Sequence, residues 1–305
     1  MNIRDPNNRR EVAGSLATFL ICVLPWLVMS QSIAIPNSNL QTEGNSSSRY
    51  PFSLPGFTVR YQQVYDSSQF SLATNGGWIY WLIFRADGLS SGFTATASDI
   101  EIHLSTTKRS PDGLSPVFSE NIGPDDDLVY SGSLNLGGPV SGDSPESWLL
   151  DLNQITLSKY FWYDPRLGNL LLDVRAYQGV TSLIPAMDAA AGLDNGVSSV
   201  TAFDVTATSG TTNASGLVTS ITMAPVPTLQ AYVSNFGTAT NYIAIRWPAQ
   251  PNGFILQQSD SLADDSAWQS LPGVGGPNLV FKEYRIPVAS AGPAAFFRLV
   301  RPGWP

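Results

Sequence analysis

The stretch Lys159–Tyr177, KYFWYDPRLGNLLLDVRAY, leaves few folds open. Four consecutive aromatics, Tyr160 to Tyr163, lead into Asp164-Pro165 and then Leu167-Gly168-Asn169. Pro165 fixes its own φ and pushes Asp164 out of the helical region, while Gly168 and Asn169 tolerate positive φ, so the chain bends here. The bend feeds a run of period two, with Leu170, Leu172, Val174 and Ala176 on one face and Leu171, Asp173, Arg175 and Tyr177 on the other. That is the pattern of a strand whose first face lies in a core.

The pattern recurs along the chain. Phe57–Tyr65 reads as a strand, and the turn Asn75-Gly76-Gly77 releases Trp78–Phe84, apolar on both faces and so central in a sheet. In Asp99–Ser105, Ile100, Ile102 and Leu104 alternate with outward Glu101, His103 and Ser105. Leu128–Leu136, Ser147–Leu152, Val200–Ala207 and Leu217–Met223 complete the set, while 185–191, PAMDAAA, suits a short helix or an irregular loop equally. About nine strands separated by Gly, Pro and Asp turns predict an all-β, jelly-roll-like β-sandwich over residues 56–223.

The flanks differ in composition. Residues 31–55 are rich in Ser, Asn and Pro and read as a flexible leader. Residues 224–240 open with Ala224-Pro225-Val226-Pro227 and read as a linker. Residues 241–301 hold the short strands Tyr242–Trp247, Phe254–Ser259, Trp268–Leu271, Phe281–Val288 and Ala294–Val300, enough for a smaller Ig/fibronectin-like β-sandwich.

Before all this, Arg4, Arg9 and Arg10 precede the uncharged apolar run Val12–Met29, followed by the small residues Ser30, Ser32 and Ala34. This is the layout of a signal peptide over residues 1–30, cut after Ser30 or after Ala34. The rival reading is a retained membrane anchor. Cleavage would remove Cys22, the only cysteine, and leave a protein held together by core burial without disulfides, as suits a bacterial protein secreted or kept in the periplasm or cell envelope. It would also take three basic and two acidic residues from totals of 16 and 24, leaving 13 and 22. Such an acidic chain repels nucleic acid and anionic membranes, so neither is an expected partner once the signal is gone.

The small C-terminal module resembles one found in exported proteins of verrucomicrobial and planctomycete-type bacteria. The matching residues are Ile245-Arg246-Trp247-Pro248, then Gly253 to Leu262 (GFILQQSDSL), Trp268, and Ala294 to Leu299 (AAFFRL). The larger domain resembles a domain of the same bacteria through Arg60–Tyr65 (RYQQVY), Leu104–Thr107 (LSTT) and Tyr163–Asp173 (YDPRLGNLLLD). The resemblance implies secreted β-sandwich proteins and brings no activity with it.

Candidate chemistry is sparse. His103 is the only histidine, and no nucleophile-elbow motif accompanies it for a triad. One His and no mature Cys do not supply a transition-metal set. Asp125, Asp126 and Asp127 are candidate Ca²⁺ ligands, with Asp87, Asp112, Asp164 and Asp188 as conceivable additions, but the run lacks the alternating spacing of an ion loop and reads as a solvated turn. Otherwise no cofactor is expected. Glu101, Glu120, Glu146, Asp151 and Asp173 offer carboxylates for a glycan-directed hydrolase, with nothing in the sequence to pair two of them. Trp81, Trp148, Trp162 and Tyr163 have flat faces that suit a lectin-like, carbohydrate-binding surface, or else fill the core. The reading that results is an exported, non-enzymatic structural or binding protein, whose partner is a glycan or an envelope protein. An exposed row of Trp or Tyr would favour the carbohydrate-binding alternative.

Overall fold

The computed structural model describes residues 30–52, 55–87, 93–138, 154–184, 186–224, 229–234, 240–248, 254–259, 267–271, 274–275, 281–288 and 296–300. The apolar N-terminal run, the strand expected at Ser147–Leu152 and the alternate prolines 225–227 lie outside them. No helix among the described residues is long and apolar enough to cross a membrane.

The larger domain is built from β1 (Gln31–Ile35), β2 (Ser46–Ser48), β3 (Val59–Tyr65), β4 (Gly77–Phe84), β5 (Phe93–Thr107), β6 (Asp127–Gly138), β7 (Gln154–Tyr163), β8 (Asn169–Ala176), β9 (Met187–Ala191), β10 (Val197–Ala202), β11 (Thr211–Asn213), β12 (Ser215–Leu217) and β13 (Thr219–Ala224). They form a four-stranded sheet β1-β13-β4-β7, a six-stranded sheet β11-β10-β3-β8-β5-β6 and a small sheet β12-β9-β2. Every pairing is antiparallel, and the chain crosses repeatedly between sheets, as in a jelly-roll-like sandwich. Between the sheets, Ile35, Tyr65, Phe70, Leu82, Phe84 and Ile102 belong to one continuous core. Leu170, Leu172, Val174 and Ala176 of β8 are all buried in it, as the period-two reading requires.

The other face of β8 departs from the simple alternation. Leu171 and Asp173 are buried as well, because the segment between β5 and β6 folds back over the six-stranded sheet. Its Leu114 and Phe118 join Val64, Leu171 and Val200 in a second apolar cluster.

Three boundaries need correction. Residues 31–55 are no flexible leader: β1 pairs with β13 along its whole length, from Gln31 opposite Met223 to Ile35 opposite Thr219, and Ile33, Ile35 and Phe52 are buried. The sandwich therefore includes β1, well before Gly56. The ambiguous 187–191 is neither helix nor loop but β9, held between Ser46–Ser48 and Ser215–Leu217. It carries Asp188, whose buried carboxylate accepts from Arg85 Nε and Nη2 at 2.8 and 2.5 Å, while the same guanidinium donates to the carbonyls of Asn39 and Thr42. The pair ties the N-terminal segment to β4 and β9.

The third correction concerns the linker. Within it lies β14 (Gln230–Ser234), which pairs with β15 (Tyr242–Pro248) of the small module. That module continues with β16 (Ile255–Ser259), β17 (Gln269–Ser270), β18 (Val274–Gly275), β19 (Phe281–Pro287) and β20 (Phe296–Val300). Its sheets β14-β15-β19-β18 and β17-β16-β20 enclose Ile245, Trp247 and Leu256, a second and smaller sandwich.

Candidate functional site

The outer face of the four-stranded sheet collects aromatic rings. The cause is a bulge in β4. Ile79 and Leu82 both face the core although they are three residues apart, so alternation breaks at Tyr80-Trp81. The register shows it on both sides: Met223 and Thr222 are opposite Ile79 and Trp81, while β7 jumps from Phe161 to Thr156 across the same two positions. Tyr80 and Trp81 thus become neighbours with ring centroids 4.8 Å apart, and Tyr80 meets Tyr160 of β7 edge-on at 5.9 Å. One step along, the cross-strand pair Trp78 and Trp162 lies at 5.3 Å. Trp78 is in turn covered by Phe254 of the small module, 6.4 Å away.

These rings differ in access. Trp81 is 36% exposed, Tyr160 and Trp162 are half-buried, and Tyr80 and Trp78 are buried. Polar groups border them: exposed Gln154 and Thr156 on β7, and a Ser32–Thr222 hydroxyl pair at 2.9 Å between β1 and β13. Burial is the main reason the Tyr80 phenol lies above its ordinary pKa, with a hydrogen bond to Ser30 opposing and Tyr160 adding to the rise, so Tyr80 remains a neutral O–H at any physiological pH.

Of the aromatics singled out in the sequence, Trp81 and Trp162 lie on this face, and Trp148 is outside the described residues. Tyr163 is a correction. It is fully buried, packs on Phe70 at 4.7 Å and donates its hydroxyl to the Gly168 carbonyl at 2.9 Å, so it closes the turn instead of offering a platform. Tyr80 and Tyr160 were missed. Each stood in an aromatic run with no means of telling its face, and a bulge leaves no mark in hydrophobic periodicity.

The outer face of the six-stranded sheet is charged and laced with ion pairs, although Arg175 Nε is buried there without a hydrogen-bond partner. Asp173 accepts from Arg60 Nη2 at 2.8 Å and Gln62 Nε2 at 3.0 Å, and Arg175 bridges it to Glu101. Tyr177 donates to Glu101 at 2.7 Å, which holds its phenol above the usual value. Glu101 and Asp173 are thus linked through Arg175, which lies within 3.9 and 3.5 Å of their carboxylates. Glu120 pairs with Arg109, and Glu146 and Asp151 lie outside the described residues.

The aspartates of the run turn to three different partners. Asp125 accepts from the Thr106 N–H, Asp126 meets His103 Nδ1 at 3.2 Å, and Asp127 pairs with Lys159. Asp112 accepts from the Asp194 N–H, Asp164 is held by Arg166 and Asp188 by Arg85. Among the described residues no group of three or more His, Cys, Asp or Glu side chains is arranged to hold a metal.

No protein-family model, curated protein or solved structure matches the chain.

Proposed function

We propose that this is an exported, non-enzymatic glycan-binding protein whose sugar contact is centred on Trp81. The observation that carries the reading is the aromatic patch at the β4 bulge, in which an exposed indole is braced by Tyr80, itself packed on Tyr160, and bordered by Gln154 and Thr156. A pyranose presents a C–H face that packs on a flat ring and a rim of hydroxyls that suits neutral amide and hydroxyl side chains. Braced rings lose little side-chain entropy on binding. The carboxylates on the other sheet are already engaged with arginines, which favours binding over hydrolysis. The apolar run before Gln31 and the resemblance to exported bacterial proteins support secretion or the cell envelope as the place of action.

The test is a glycan array with the chain beginning at Gln31, followed by calorimetric titration of the best ligand. Micromolar to millimolar binding is expected, weakened about tenfold or more, roughly 1.4 kcal/mol, by Trp81→Ala and far less by Trp81→Phe. An empty array, or binding indifferent to Trp81→Ala, would remove the proposal.

A further inference from the structure

A cleft of about 690 Å³ opens at the end of β5, where Thr106 to Arg109, the segment Glu120 to Asp125 and Leu167 meet. We infer that this cleft is a second saccharide site, one that takes the end of a neutral sugar chain through its hydroxyls. The inference rests on the glycan reading above for the choice of ligand class, and on the cleft alone for the place.

The volume lies within the roughly 300–1,000 Å³ of small-ligand sites. Ile122, Pro124 and the exposed Leu167 supply apolar surface, and Lys108, Arg109, Glu120 and Asp125 supply two cationic donors and two carboxylate acceptors. The two cations are offset by two carboxylates, and Arg109 already engages Glu120 at 3.0 Å, so the cleft holds no surplus positive charge to select an anion. A sugar hydroxyl both donates and accepts, and matches mixed groups of this kind without burying a net charge.

The walls are fixed in advance. Asp125 Oδ1 accepts from the Thr106 N–H at 2.7 Å, and Gly123 N–H donates to Ser105 Oγ at 3.1 Å. A Cβ on Gly123 would stand 1.9 Å from the Thr106 carbonyl, so only glycine lets this wall close on β5. On the opposite lip Lys108 Nζ donates to the Leu167 carbonyl and Asn169 Nδ2 to the Arg109 carbonyl at 2.9 Å. A cleft built this way binds without first ordering its own loops. The Asp125 run and the Asp164–Asn169 turn, far apart in sequence, meet here because Asp125 is tied to Thr106 and β8 pairs with β5 up to Asn169 opposite Thr107.

The experiment titrates the full chain from Gln31 with cellotetraose, laminaritetraose and mannotetraose, and with tetragalacturonate as an acidic control, by saturation-transfer NMR and calorimetry. Glu120→Gln and Lys108→Met should each weaken a bound neutral tetrasaccharide at least fivefold, and Leu167→Trp, which fills the mouth and leaves the charges in place, should block this site while Trp81 still responds to sugar. Far-ultraviolet circular dichroism of each variant separates a lost site from a lost fold. If the cleft variants bind like the parent and Trp81→Ala alone abolishes binding, the cleft inference fails and the aromatic reading stands. Tighter binding of tetragalacturonate than of all neutral sugars would overturn the neutral chemistry assigned here, and no binding of any sugar would sink both.

Discussion

The two outer faces of the larger sandwich have the same origin and opposite character. Both consist of the alternate residues that a strand turns away from the core. On the six-stranded sheet these positions are Arg60, Gln62, Asp173, Arg175 and Glu101, linked to one another, and His103, which meets Asp126, all partly roofed by the segment that carries Leu114 and Phe118. On the four-stranded sheet they are Trp78, Tyr80, Trp162 and Tyr160, joined by Trp81 through a bulge and left partly open. The first face is crossed by ion pairs, with Arg175 Nε left buried and unpartnered, whereas the second keeps apolar rings in contact with water. The proposed glycan contact therefore makes a separable expectation: changes on the charged face should act on stability, and changes on the aromatic face on binding.

The largest effect expected from this division concerns β1, the edge of the aromatic sheet. A chain starting at Ile35, as cleavage after Ala34 would leave it, loses Ile33 from the core along with four of the five paired positions with β13. Loss of buried Ile33 alone is of the order of 2–5 kcal/mol, so this chain should unfold at much lower urea than one starting at Gln31. Hydrogen exchange should quicken in β13 and β4 before β8. Equal stability of the two chains would mean that β1 contributes nothing to the sheet. The same reasoning makes Ser30, not Ala34, the expected cleavage position, to be read by N-terminal sequencing of the exported protein.

Next in size is Asp173→Ala. Its carboxylate is buried between Arg60, Gln62 and Arg175, and removing one partner of such a network leaves charges without compensation, at a cost of about 3–5 kcal/mol. Glycan affinity should be unchanged once the variant is folded. Trp81→Ala should do the reverse, with most of the stability kept and binding lost. An Asp173→Ala protein that folds normally but no longer binds sugar would transfer the site to the charged face.

How legible these faces were depends on the range over which their causes act. β8 could be read at once, because its turn and its alternation lie within a dozen residues and the core confirmed each inward position. β1 could not: its Gln-Ser-Ile-Ala-Ile segment sits among Ser, Asn and Pro, and the contact that orders it, such as Ser32 with Thr222, spans 190 positions. The alanines of β9 favour helix locally, and the strand is imposed by neighbours on both sides and by the Arg85–Asp188 pair. On the aromatic patch the residue types were visible and their faces were not. The cleft at the end of β5 arises from three loops and had no sequence signal beyond the turn residues that form its walls.

The smallest effect extends the comparison to the small module, whose own charged face is Arg246, Glu283, Arg285 and Tyr232. Burial alone would raise the Glu283 pKa, but hydrogen bonds from Tyr232, Arg285 and Arg246 outweigh it and hold the carboxyl below its ordinary value. A carboxyl that is more acidic folded than unfolded stabilises above the unfolded value of about 4.3, and this contribution disappears as pH falls through the lower, folded value. With Arg246 and Arg285 over a third exposed, the whole effect should stay under about 1 kcal/mol. Thermal unfolding between pH 6 and pH 3 should therefore show a modest acid destabilisation of the module that 0.5 M salt reduces and Glu283→Gln flattens. If Glu283→Gln follows the parent curve throughout, the charged face of the small module is decoration, and pairing of charges stabilises only the larger sandwich, where Asp173 is buried.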